Sequence, residues 1–161
     1  MALLVCDTNI LLDWFHGGRI DVLFRLEATL ALPDVLFEEL GDKGQALEPM
    51  GLVVCSLEGF TVQRVLALSR THRRPSRGDL MALALAEQER AVLLTGDWHL
   101  RAAAQAEGIE VHGTLWVAIQ AVELGVLSPA ETRKIFLRMQ DSSRRLPWSQ
   151  VDRSEERRVG K

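Results

Sequence analysis

Apolar and polar positions along this chain follow two rhythms. Runs such as Leu3-Leu4-Val5 and Val92-Leu93-Leu94 lack in/out alternation, the pattern of strands in a sheet buried on both faces. Such runs predict strands at about 2–6, 29–32, 51–55, 91–95 and 109–112. Between them, apolar residues recur at helical spacing, which predicts helices at about 9–16, 19–28, 34–41, 58–72, 77–89, 98–107 and 114–124. A last helix opens at Ser128-Pro129-Ala130-Glu131, a capping box with proline in the first turn. Asp34 and Thr114 stand where N-caps are expected, and Gly108 and Gly125 where helices stop. Strands alternating with helices predict an α/β fold, a three-layer α/β/α sandwich around a central, mostly parallel sheet of four or five strands.

The chemistry sits where these runs end. Asp7-Thr8-Asn9 closes the first apolar run and Thr95-Gly96-Asp97 closes the run at Ala91–Leu94. Glu39 follows Val35-Leu36-Phe37, and Asp79 opens the helical run Leu80–Glu89. In an open parallel sheet the carboxyl ends of strands share one crevice, so acids far apart in sequence would meet there. Four converging carboxylates with no Lys or Arg inside any of these motifs cannot all stay charged unless cations join them. Hard divalent ions such as Mg²⁺ or Mn²⁺ do so with oxygen ligands. None of the four histidines has metal-ligand spacing, and no residue stands out as a general base, which suits chemistry run by metal-activated water.

Composition narrows the setting. With 161 residues, 47% hydrophobic and 25% charged, the chain reads as a single globular domain over residues 1–150 and not as a disordered one. The formal charge of −3 offers no global attraction to nucleic acid, so any such binding needs a local basic patch. No apolar run approaches the roughly 18 residues needed to span a bilayer. No signal peptide is expected, since Met1-Ala2-Leu3 leads straight into a strand carrying a motif acid. Cys6 and Cys55 lie in apolar runs and read as buried free thiols, which with the rest predicts a cytoplasmic protein. Residues 153–161 have no apolar periodicity and no cap; they read as a non-native or disordered tail and are left out of the fold.

Taken together, the motifs resemble a known family. Asp7-Thr8-Asn9 after a strand, the Glu39-Leu40 pair, Asp79 at a helix start and Leu93-Leu94-Thr95-Gly96-Asp97 are similar to the PIN-domain signature. Leu100-Arg101, Gly108-Ile109 and Gly113-Thr114-Leu115 continue the likeness to prokaryotic members, and it spans about residues 2–140. The resemblance implies a Mg²⁺- or Mn²⁺-dependent endoribonuclease that cleaves phosphodiesters by metal-activated water. Asp7, Glu39, Asp79 and Asp97 would be its catalytic and metal-holding acids, with Asn9 and Thr95 in support. It also implies a VapC-like toxin paired with an antitoxin protein, and a homodimer. Product ends would be 5′-phosphate and 3′-hydroxyl. The alternative is a catalytically degenerate PIN-fold module that binds a partner or RNA. A phosphatase using Asp7 as nucleophile is disfavoured, because Asn9 stands where that chemistry wants a second acid.

Finer expectations follow. Glu38 and Glu39 differ by about 100° on a helix; with Leu36 and Leu40 marking the buried stripe, Glu39 lies at its margin and Glu38 near the far side. The basic cluster of Arg64, Arg70, His72, Arg73, Arg74 and Arg77 before Asp79 is either a solvated face or a phosphate-contacting rim, with Arg73, Arg74, Arg77 and Arg101 the RNA-binding candidates. Trp98, directly after Asp97, is open to packing or to stacking on a base. The segment of about 9–28, with Ile10, Leu11, Trp14, Phe15, Ile20, Leu23 and Phe24, either offers a candidate dimer interface or simply packs on the sheet. Asp13 and Asp34 read as surface and cap residues.

Overall fold

A computed structural model of the chain describes residues 2–142; the tail of 153–161 set apart above lies outside them. The order is β1 (Ala2–Cys6), α1 (Thr8–His16), a 3-10 turn (Ile20–Arg25), β2 (Ala28–Pro33), α2 (Asp34–Leu40) and α3 (Asp42–Leu47). A second 3-10 turn (Glu48–Met50), β3 (Val53–Cys55), α4 (Gly59–Thr71), α5 (Arg77–Glu89) and β4 (Val92–Leu94) follow. Then come α6 (Trp98–Ala106), β5 (Val111–His112), α7 (Thr114–Glu123) and α8 (Pro129–Asp141).

The strands form one five-stranded sheet in the order β3-β2-β1-β4-β5. Every neighbouring pair is parallel. In register, Leu4 pairs with Leu30 on one side and with Val92 on the other. The chain steps outward from β1 to β3 and then returns to β4. Right-handed crossovers therefore place α1, α2 and α3 on one face and α4, α5 and α6 on the other. The packing agrees: α1 lies against α8, while α5 lies against β1, β2, α4 and α6. The strand order reverses between β1 and β4, so the crevice of this sheet opens at the carboxyl ends of those two strands. Asp7 and Thr95 begin the segments that leave them.

Burial on both faces explains the uniform runs. Leu4, Val5, Leu30, Leu32, Leu93 and Leu94 are all buried. Helix ends follow local chemistry: Gly108 and Gly125 both take φ of +76° at the ends of α6 and α7, a conformation that only glycine adopts without strain. Ser128 and Glu131 form the reciprocal capping box at the start of α8.

Several expectations need correction. The helix expected at about 19–28 is a short 3-10 turn, and α3 with the turn after it fills a stretch where no element was expected. Asp34 and Thr114 are the first residues of their helices, with Pro33 and Gly113 at the cap positions. β3 is a three-residue edge strand, which leaves Cys55 half-buried, whereas Cys6 is buried. The proposed dimer face on the 9–28 segment is mostly internal. Ile10, Leu11, Trp14 and Leu23 are covered by their own chain, and exposed Phe15 has Lys43 Nζ 4.9 Å from its ring centroid. A helix packed on a fully buried sheet must spend its apolar stripe on that sheet, so little is left for a second copy. Apart from Phe15, the exposed large apolar side chains lie elsewhere, among them Phe60, Val62 and Leu66 on α4, and Trp98. No helix among the described residues is long and apolar enough to cross a membrane.

Candidate functional site

Three of the four acids singled out by the motifs are anchored by a helix N-terminus. Asp7 is the N-cap of α1, where its Oδ1 accepts from the Ile10 amide at 2.9 Å. Asp97 is the N-cap of α6, its Oδ1 accepting from the Leu100 amide at 2.8 Å. Asp79 is the third residue of α5 and accepts from the Ser76 amide at 3.0 Å while its own amide donates to Ser76 Oγ, a capping box. Helix starts leave backbone N–H groups unpaired and carry a partial positive charge, so a carboxylate is stabilised and held in one orientation there. Capping and site-building are thus the same act: it fixes the acids at the edge where α1, α5 and α6 begin.

Thr95 joins two of these anchors. Its buried hydroxyl donates to Asp7 Oδ2 and accepts from the Asp97 amide at 3.0 Å. The β1 and β4 ends are also tied by the Asp7 amide, which donates to the Leu94 carbonyl at 3.2 Å. Asp7 is almost wholly buried, with 1% of its surface exposed. Burial pushes its carboxyl up to about 7; the hydrogen bonds from Thr95 and Ile10 oppose that, and the charges of Asp79 and Asp13 add to it. A carboxyl in that state is short of positive charge.

Asp13 is the residue that sequence reasoning misread. It is buried, not at the surface, with Oδ2 3.4 Å from the Thr114 hydroxyl. A Cβ built on Gly96 would lie 3.4 Å from the same oxygen, so Asp13 underlies the Thr95-Gly96-Asp97 turn. The signal was present. Asp13 lies between Ile10 and Trp14 at i+3 and i−1, on the stripe that must face the sheet.

The remaining candidates are more dispersed. Asn9 is exposed on the first turn of α1. Glu38 and Glu39 are both exposed on α2, so burial does not separate them as the helical-wheel argument expected. Their helix does approach the site, since a Cβ on Gly78 would meet Leu36 Cδ2 at 2.9 Å; glycine beside Asp79 lets α2 close on the start of α5. The basic cluster divides in two. Arg64 pairs with Glu87 at 2.9 Å and Glu107 at 2.6 Å, and His72 Nε2 lies 2.8 Å from Glu107. Those partners, His72 first, hold the Glu107 carboxyl below its usual range. Arg64 and His72 therefore brace α4 to α5 and to the end of α6. Arg73, Arg74 and Arg77 are exposed.

The donor set has the chemistry of a site for a hard divalent cation. It offers carboxylates and a hydroxyl, and burial with the charges of Asp79 and Asp13 disfavours the ionised form of Asp7 that a cation would favour. It is not a closed cage: among the described residues, no three His, Cys, Asp or Glu side chains are grouped so as to hold a metal ion. Thr95 links the Asp7 side chain to the Asp97 backbone and Asp79 lies near enough to raise the Asp7 carboxyl, while Glu39 stays exposed on α2.

Comparison with known proteins places the fold. Among solved structures the fold is similar to VapBC-1 from nontypeable Haemophilus influenzae, with a TM-score of 0.54 and 15% identity over 69% of this chain and 97% of that one. It is similar to VapBC2 from Rickettsia felis, solved with a DNA fragment from their promoter, with a TM-score of 0.51 and 14% identity over 69% and 98%. A Pyrobaculum aerophilum protein matches with a TM-score of 0.54 and 17% identity over 78% and 98%. At these identities the likeness is one of fold. The comparison with curated proteins gave no match. The sequence profile of a PIN-domain family, DUF3368, matches residues 3–157. With the acids carried at the β1 and β4 switch point and the profile spanning nearly the whole chain, this protein belongs to the PIN-domain family.

Proposed function

We propose that the chain is a metal-dependent endoribonuclease, the toxin of a toxin–antitoxin pair, acting in the cytoplasm. The observation that carries this reading is Asp7: a buried carboxyl at the switch point, pushed up to about 7 and bridged through Thr95 to Asp97. A protein keeps such a group when something cationic completes it. Mg²⁺ or Mn²⁺, when bound, would supply Lewis-acid activation of the attacking water and neutralise charge on the phosphodiester. Asp7, Asp79, Asp97 and Glu39 would hold that centre, Thr95 sets the direction of Asp7, and Asn9 would border it. No side chain acts as covalent nucleophile, so the products are 5′-phosphate and 3′-hydroxyl ends. The VapBC relatives in fold support an antitoxin as partner. A homodimer is retained as part of the reading, without the 9–28 face.

The test is cleavage of single-stranded RNA by the full chain with and without chelator. EDTA should abolish cleavage and Mn²⁺ or Mg²⁺ restore it; full activity in chelator overturns the metal reading. Metal should also raise thermal stability by roughly RT ln(1 + [L]/Kd). A metal-binding chain that cleaves no RNA points to the degenerate binding module instead.

The surviving part of the basic cluster makes a separate prediction. Arg73, Arg74 and Arg77 are exposed and make no ion pair with any described residue. Replacing each with alanine should weaken RNA binding and reduce the slope of log K against log salt by about 0.7 for each phosphate no longer neutralised. Arg64→Ala, whose guanidinium is occupied by Glu87 and Glu107, should lower the melting temperature and leave that slope unchanged. Equal effects on the slope would return Arg64 to the binding rim.

A further inference from the structure

Beside the acids, the structure leaves one aromatic face open. Trp98 is the first residue of α6, directly after the capping Asp97, and 77% of it is exposed, more than any other large apolar side chain among the described residues. A tryptophan in a packing role would be covered; this one covers nothing. The other aromatic pair near this edge is already satisfied. His112, at the end of β5, is stacked face to face on Trp116 with centroids 4.4 Å apart and planes 8° from parallel.

Arg101 follows Trp98 by three positions, a spacing that puts the two on one face of the helix. Its guanidinium folds inward over Gly113: a Cβ there would meet Arg101 Nη1 at 3.0 Å and the Thr95 carbonyl oxygen at 3.2 Å. The cation thus lies against the turn that carries Asp97. The guanidinium makes no hydrogen bond or ion pair with any described residue, in contrast to those of Arg19 and Arg64. A half-buried cation with no partner among the described residues, one helical turn from an open indole and against the turn that carries Asp97, has the makings of a nucleotide site. The ring would take a base, the guanidinium the adjoining phosphate, and the acids the bond to be cut.

We propose that Trp98 and Arg101 form a nucleotide subsite that holds single-stranded RNA beside Asp97, the base stacked on the Trp98 indole and the adjoining phosphate on Arg101. The proposal rests on the ribonuclease reading above for its placement next to the scissile bond. It selects single strands, because a base can lie on an exposed ring only when it has left its own stack. Stacking is tolerant of sequence, so the subsite fixes register along the strand and adds little base preference.

The experiment measures binding of a fluorescently labelled single-stranded oligoribonucleotide to the full chain in chelator, where cleavage does not interfere. Trp98→Ala should weaken binding by about 5- to 150-fold, the range for losing one stacked base. Trp98→Phe should keep it within about threefold, because a ring remains. Arg101→Ala should weaken binding and lower its salt dependence, and a duplex of the same sequence should compete poorly. The indole is exposed, so unchanged thermal melting of Trp98→Ala serves as the folding control. Wild-type affinity in Trp98→Ala, or a duplex that competes as well as the single strand, overturns the subsite. So does loss of self-association or of a protein partner in Trp98→Ala with RNA binding intact, which would make the indole a protein-binding surface. The two readings fail separately. Trp98-dependent binding with no Mn²⁺-dependent cleavage keeps the subsite and removes the nuclease. Mn²⁺-dependent cleavage with an unchanged KM in Trp98→Ala does the reverse.

Discussion

Asp7→Asn should abolish RNA cleavage, by at least about a hundredfold, and at the same time make the metal-free protein more stable at neutral pH. The two effects have one cause. Asp7 has its carboxyl pushed from 3.8 up to about 7, mainly by burial and further by Asp79 and Asp13. In the unfolded chain it ionises near its ordinary value. Between those two values the folded state binds more protons than the unfolded one, so stability falls as pH rises. The contribution is complete below about pH 4, is lost progressively toward pH 7, and then stays lost. At 1.36 kcal/mol per unit the ceiling is about 4 kcal/mol. Asparagine removes the charge while keeping an acceptor for the Ile10 amide and a polar group facing Thr95. Melting curves in chelator should therefore diverge with pH, the variant matching wild type near pH 4 and exceeding it at pH 8. A variant less stable than wild type at pH 8 in chelator would show that Asp7 is a structural cap whose charge the fold needs. Added Mg²⁺ should stabilise the wild type and do much less for Asp7→Asn.

Thr95→Val should cost about 1–3 kcal/mol of stability and lower cleavage by about 10- to 100-fold, the usual penalty for losing a group that orients a metal ligand. Valine keeps the shape and removes the hydroxyl. Asp7 then loses its donor, and the Asp97 amide loses the acceptor that holds the turn. Because the Thr95 hydrogen bond favours ionised Asp7, its loss should move the acid limb of the cleavage profile to higher pH. Thr95→Ser should recover both the limb and most of the rate. A rate loss in Thr95→Val with an unmoved pH profile would make Thr95 a packing residue only.

Much of this is legible in the chain itself. The strands at the first, fourth and fifth runs, the helices that separate them and the glycine stops at 108 and 125 all follow from local chemistry. So does the placement of Asp7, Asp79 and Asp97 at helix starts, because a carboxylate before a helical run is itself the capping signal. Short connections are harder. The 3-10 turn at Ile20–Arg25 and the helix Asp42–Leu47 span too few residues for periodicity to declare them.

The limit of sequence reading shows best in the charged residues. Arg64 and His72 belonged with Arg73, Arg74 and Arg77 to a cluster that read as either a solvated face or a phosphate rim; only the closing of α4 onto α5 and α6 turned them toward Glu87 and Glu107. Asp13 looked like surface, yet the packing of α1 beneath the β4–α6 turn buried it against Thr114. The apolar face of residues 9–28 looked like spare surface and is spent on the protein's own core. Trp98 could have packed or stood free, and the structure leaves it open. What the sequence alone determined was which residues begin and end each element, because caps, stops and apolar runs act within a few positions of the chain. Which charges meet, which are buried and which faces remain open was decided only by the tertiary structure, since those energies depend on distance and solvent access between segments tens of residues apart.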